Sequence, residues 1–158
     1  MTKTTETINS MITSLIVFGP HDVFERWLCE RIEYAPTRNL RCLANITPDS
    51  KILGVVGLDN WNGASCQLHV AGENIWLTRE FLRCVFDYVF NVAKIKVLLC
   101  MIESGNKKSL RFTRHIGWTE IARIEGAHPA GALIAFEMRP ENCKYLEKPD
   151  GQIYSRCA

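Results

Sequence analysis

The segment that most constrains the fold is residues 97–102 (VLLCMI), apolar at every position and flanked on both sides by helical patterns. It is far too short to cross a membrane. An apolar run without alternation suits a central strand covered on both faces. Upstream, Phe81, Leu82, Val85, Phe86, Val89, Phe90 and Ala93 recur at helical spacing behind Thr78, with Glu80, Arg83, Asp87, Asn91 and Lys94 on the other face. Downstream, Glu103-Ser104-Gly105 turns the chain and Asn106 opens a second helix. A strand, a helix and a returning strand in one sheet give a parallel pair.

The remaining segments read as strands and hairpins. Residues 14–18 (SLIVF) form a short apolar strand ended by Gly19-Pro20. Asp22 can cap a helix whose apolar face is Val23, Phe24, Trp27, Leu28 and Ile32. After a loop containing Pro36, residues 40–47 and 51–58 are strands joined by Pro48-Asp49-Ser50. Asn60-Trp61-Asn62-Gly63 favours a hairpin into the alternating strand 65–70 (SCQLHV). Two last strands lie around 119–124 and 133–139, with 126–131 (GAHPAG) as their turn. The expectation is an α/β (α+β) chain with a mixed, mostly antiparallel sheet of about seven strands and helices on both faces. Residues 1–12 read as a flexible start, 13–146 as one domain, and 147–158 as a polar tail.

A chain of 158 residues can bury roughly 70% of its unfolded surface, so its core needs neither disulfides nor metal. The seven cysteines (Cys29, Cys42, Cys66, Cys84, Cys100, Cys143 and Cys157) show no metal-ligand spacing, and several sit in apolar runs. They read as reduced core residues of a cytoplasmic protein with no metal. The polar start MTKTTETINSM shows no signal-peptide core, and no membrane association is expected. A net charge of +2, with acids and bases interleaved, gives weak grounds for nucleic-acid binding.

The turn from strand to helix at Asn106 carries chemistry. A helix N-terminus there gathers free N–H groups and about half a positive charge at the end of a buried strand. Lys107, Lys108, Arg111, Arg114 and His115 add basic charge, and a phosphate-bearing ligand would be favoured. The same residues also read as a capped helix with a solvated basic face.

The phrase N-x-x-S-x-x-F-x-x-x-x-G-W (Asn106, Ser109, Phe112, Gly117, Trp118), together with the order of elements, resembles the GNAT superfamily of acyl-CoA-dependent N-acyltransferases. Residues 76–118 and the ending P-E-N-C-K-Y-L resemble its small phage- and prophage-encoded members. The resemblance implies that the fourth and fifth strands splay apart. The pantetheine arm of acetyl-CoA would lie between them like an added strand. Leu68, Val70 and Gly72 would offer backbone contacts, Asn106 would help hold the arm, and Ser109 would face the same cleft. The family's pyrophosphate loop, R/Q-x-x-G-x-G/A, has no counterpart in residues 71–80 (AGENIWLTRE), which leaves Thr78 and Arg79 at the helix start to meet the pyrophosphate. Thr113 stands where many members place a Tyr that protonates the thiolate, a proton the good leaving group CoA can do without.

The implied reaction is direct attack of an amine on the thioester, assisted by a base. His69 on the fourth strand and Glu103 at the end of the fifth are the candidates, with Asp59 and Glu73 behind them. His69 reads equally as a half-buried strand histidine. Cys100 reads as core packing, and Trp61, Trp76 and Trp118 read as core or as pocket lining. The acceptor would be a small-molecule or protein amine. A non-catalytic GNAT-like accessory protein and a nucleic-acid-modifying acyltransferase are the alternatives. Exposure of Trp27 or Trp61 would suit a homodimer face.

Overall fold

The computed structural model describes residues 14–73 and 76–146. The expected end segments 1–12 and 147–158 lie outside the described residues. The strands are β1 (Leu15–Phe18), β2 (Arg41–Ile46), β3 (Ile52–Asp59), β4 (Ser65–Gly72), β5 (Val97–Glu103), β6 (Thr119–His128) and β7 (Gly131–Met138). The helices are α1 (His21–Cys29), α2 (Arg79–Asp87) and α3 (Lys107–His115). One seven-stranded sheet runs in the order β1-β2-β3-β4-β5-β7-β6. Every neighbouring pair is antiparallel except β4 and β5. The expected mixed, mostly antiparallel sheet is therefore present. No helix among the described residues is long and apolar enough to cross a membrane.

Local chemistry sets the turns. Between β3 and β4, Asn60 and Gly63 take positive φ, and Asn62 Oδ1 accepts the N–H groups of Ala64 and Ser65 at 3.0 and 2.7 Å. The last turn is tighter than 126–131: β6 continues through Gly126 to His128, so only Pro129 and Ala130 separate it from β7. At α1, Pro20 occupies the cap position and Asp22 falls in the first turn, so Asp22 does not cap. Val23 faces solvent instead of the core. α2 stops at Asp87 and a π-helical turn, Tyr88–Val92, carries the chain on while keeping Val89 and Phe90 buried.

The two faces of the sheet are covered unequally. Phe81, Val85, Phe86 and Val89 after β4, with Leu110 and Ile116 after β5, pack on Val56, Leu58, Leu98, Cys100, Ile134 and Phe136. The other face carries α1, whose Phe24 and Leu28 pack on Cys42, Ala44 and Val55 of β2 and β3. The nine-residue α1 is about 13 Å long, whereas seven strands span roughly 29 Å. On that side no helix among the described residues lies over β5, β7 and β6, and Met101 and Ile124 are 46% and 44% exposed. Among the described residues the VLLCMI strand is thus covered by helices on one face only, contrary to the expectation from its uniform apolar pattern.

Two contacts fix the site's surroundings. Trp76, 6% exposed, lies flat over Gly54 and Gly72, which are paired across β3 and β4. A Cβ at Gly54 would fall 2.1 Å from the indole Cδ2, and one at Gly72 1.9 Å from Nε1. Buried Asn45 donates its amide to the Trp76 carbonyl at 2.8 Å. The second contact is Asp59, wholly buried at the end of β3. It accepts the Thr37 and Asn60 N–H groups at 2.8 Å each and the hydroxyls of Tyr34 and Thr37. This brace fastens the loop after α1 to the sheet. Burial pushes the Asp59 carboxyl up, but the four hydrogen bonds outweigh it and hold the group below its ordinary 3.8.

Gly54→Ala is expected to drive the ring off the sheet and lower stability by about 1–3 kcal/mol, the usual cost of overpacking, read as a lower urea midpoint. Hydrogen bonds to a charged group contribute about 1.5–3 kcal/mol each, so Asp59→Ala is expected to cost at least about 2 kcal/mol at neutral pH. With a depressed folded pKa, this stabilisation is full above the ordinary 3.8 and is lost as pH falls below that and through the lower folded value. The gap between wild-type and variant midpoints should narrow below about pH 4.

Candidate active site

β4 and β5 pair only where Ser65, Cys66 and Gln67 face Val97, Leu98 and Leu99. Beyond that point β4 keeps its partner β3 as far as Gly72, and β5 keeps β7 as far as Glu103. Their facing edges then carry no ladder among the described residues. Alternate N–H and C=O groups of residues 68–72 aim into the gap, where an extended amide-bearing ligand can bond as an added strand does. Val70 and Gly72 are exposed, while Leu68 packs on the core.

Both following helices start from the C-terminal side of this gap. Thr78 caps α2, its hydroxyl accepting the Phe81 N–H at 3.1 Å, with Arg79 exposed behind it. Asn106 caps α3, its Oδ1 accepting the Ser109 N–H at 3.1 Å, and Ser109 is half-buried. The caps leave first-turn N–H groups and the Asn106 amide hydrogens for a ligand. The basic face of α3 is partly used internally. Lys107 donates to the Ser104 carbonyl at 2.7 Å, and Arg114 pairs with Glu120 at 2.7 Å.

The register places His69 and Glu103 on the same, α1-bearing face. Gln67 and Leu99 are the last pair, His69 lies two residues beyond Gln67, and Glu103 four beyond Leu99. They stand on opposite walls of the gap. The His69 ring stacks on Tyr34 with centroids 3.9 Å apart, and its Nε2 is buried without a hydrogen-bond partner among the described residues. Burial lowers its pKa below 6.5, against the opposing pull of Asp59, so the imidazole is neutral at physiological pH. Half-buried Glu103 lies 3.6 Å from His128 Nδ1, which also accepts the Ala130 N–H at 3.1 Å.

The weaker candidates lie apart. Asp59 is committed to its brace, and Glu73 pairs with Arg31 at 3.5 Å and Lys51 at 4.0 Å. Cys100 is buried in the core, its thiol pushed up to about 12 by burial, which leaves it unreactive. Thr113 and Trp118 are buried, and half-buried Trp61 donates its indole N–H to the Leu58 carbonyl at 2.9 Å. Tyr34 and His128 were not singled out from the sequence. Tyr34 sits in an unpatterned stretch that the sequence marks only as a loop containing Pro36.

No family model matches the chain, and no curated protein matches it. Solved structures do. A chimera of the spermidine N-acetyltransferase SpeG from Vibrio cholerae superposes with a TM-score of 0.68 at 12% identity, over 85% of this chain and 99% of that one. The spermidine/spermine N-acetyltransferase SpeG from Vibrio cholerae gives 0.63 at 10% identity, over 80% and 92%. The ribosomal-protein-S5-alanine acetyltransferase from Vibrio fischeri gives 0.57 at 12% identity, over 66% and 64%. The described chain has the fold of the GNAT N-acetyltransferases.

Proposed function

We propose that this protein is an acyl-CoA-dependent N-acyltransferase that takes an acetyl group from acetyl-CoA and passes it directly to an amine. The observation that carries the reading is the parting of β4 and β5 beside the Asn106-capped helix. The pantetheine arm lies in the gap against residues 68–72, with Asn106 and Ser109 on the α3 side. Thr78, Arg79 and the α2 N-terminus meet the phosphates. The amine approaches from the face that α1 leaves open.

A neutral amine attacks the thioester carbonyl, the nitrogen loses its proton, and the thiolate departs. Thr113 is buried and supplies no acid, and the hydroxyl of Tyr34 is bound to Asp59. Thiolate departure therefore runs without a general acid. Neutral His69 is the base, and Glu103 draws a cationic amine to the gap. The acceptors named for the neighbouring structures, spermidine, spermine and the alanine of ribosomal protein S5, are of this kind. Buried Thr113 and the absent glycine loop support one other reading, a non-catalytic module that keeps the cleft. Binding of acetyl-CoA without turnover on any amine decides for it.

Ligand at ~100 times its dissociation constant stabilises by about 2.7 kcal/mol. In a domain of this size that raises the thermal midpoint by on the order of 5–10 °C. Acetyl-CoA is expected to produce such a rise, and Asn106→Ala to shrink it. The ligand-induced shift is the quantity to compare, because losing the cap alone costs about 1 kcal/mol. No shift with acetyl-CoA or CoA would sink the reading. Where turnover is found, the acidic limb of kcat/KM should inflect below pH 6.5, because the base has a depressed pKa and stays deprotonated into mildly acidic solution. His69→Gln should abolish that limb. An unchanged limb in His69→Gln assigns the proton to another group.

A further inference from the structure

We infer that Trp76 donates a hydrogen bond, through its indole Nε1–H, to an oxygen of the ligand held between β4 and β5. The inference rests on the acyl-CoA reading and adds a contact to it. Trp76 is 6% exposed and its Nε1 makes no hydrogen bond among the described residues, yet it is not one of their buried unpartnered polar atoms, which are Asn45 Oδ1 and His69 Nε2, so the N–H keeps access to the surface. An indole N–H at the edge of an apolar core ordinarily finds a partner, as that of Trp61 does at the Leu58 carbonyl.

The ring's orientation sets the side from which a partner reaches this N–H. The atoms over Gly54 of β3 are Cγ, Cδ2 and Cε3, and those over Gly72 of β4 are Cδ1, Cε2 and Nε1. The nitrogen edge therefore points away from β3, towards the side where β4 has lost its β5 partner. Glycine at both positions lets the ring lie against the strand backbone on the α2 face, with Nε1 over Gly72 at the end of β4. The donor is also rigid. The Trp76 carbonyl accepts from Asn45 Nδ2 at 2.8 Å and from the Thr78 N–H at 3.0 Å, and the ring packs on Phe81 with centroids 5.5 Å apart. Thr78, the α2 cap, follows two residues later. A single fixed side-chain donor thus stands beside a helix N-terminus, where the loop lacks a glycine pair.

The acceptor is an oxygen of either the pyrophosphate or a pantetheine amide, and two probes separate these sources. Trp76→Phe keeps an aromatic ring over the glycines and removes the N–H. Dissociation constants for CoA and for pantetheine would be measured on both proteins, alongside the midpoint of unliganded unfolding. The expected result is CoA affinity weakened about tenfold in the variant, the scale of one lost hydrogen bond. The same factor for pantetheine places the acceptor on its amides, and a loss confined to CoA places it on the phosphates. In the wild type, one of the four indole N–H resonances should move downfield on saturation with CoA. That measurement stands if the variant does not fold. Wild-type binding with equal affinity in a folded Trp76→Phe, or with no indole signal moving, overturns the inference and leaves the acyl-CoA reading intact. No CoA binding to the wild type overturns both.

Discussion

The site depends on a parallel pairing that stops after three residues. β4 and β5 share only the pairs at Ser65–Val97, Cys66–Leu98 and Gln67–Leu99. Each strand then stays with its antiparallel neighbour, β4 with β3 and β5 with β7, so each keeps one complete ladder. The sheet loses little by parting there, because both strands remain anchored on one side. The parting leaves backbone donors and acceptors facing each other at too great a distance to bond. Such groups require water or a ligand, since buried and unpaired they are costly. Both helices that follow these strands begin on that side and add uncompensated N–H groups. The gap therefore combines three features of a binding cleft for an extended, oxygen-rich molecule.

The two faces of the sheet divide the work. One is sealed by α2 and α3, whose apolar side chains form the larger core and fix the helix ends against the gap. Among the described residues the other carries only the short α1, over β2 and β3. His69 and Glu103 lie on that face, as the strand register requires, with Tyr34 stacked over the His69 ring. In the proposed mechanism the donor is held by backbone and helix ends, which tolerate sequence change. The acceptor meets side chains on the exposed face, where variation is easier still.

The order of elements was legible because periodicity is a local signal. Helical spacing after Thr78, alternation in β4 and the Asn106 cap all involve residues a few positions apart, and each is present in the structure. The cover over residues 97–102 was not legible, because whether a helix reaches that face depends on the length of α1, far away in the chain. Asp59 ranks in the sequence as a weaker candidate for the base because turn acids are common. Its four donors come largely from Tyr34 and Thr37, more than twenty residues earlier, which no local pattern reveals. The free edge of Trp76 was hidden for a like reason. Its meaning comes from two glycines on neighbouring strands, and nothing in WLTRE indicates them.

The Asp59 brace bears on the proposed chemistry as well as on the loop. An unshielded carboxylate beside His69 would favour the imidazolium, and a protonated imidazole cannot take a proton from the attacking nitrogen. Asp59 does pull in that direction, yet burial of the ring prevails and the pKa stays below 6.5. The hydrogen bonds from Thr37, Asn60 and Tyr34 spread the carboxylate's charge over four donors, so less of its field reaches the ring. Tyr34 acts twice: its hydroxyl is one of those donors, and its ring covers His69 at 3.9 Å, supplying part of the burial. The loop that closes the α1 side thus keeps the candidate base neutral by the same contacts that hold the loop in place.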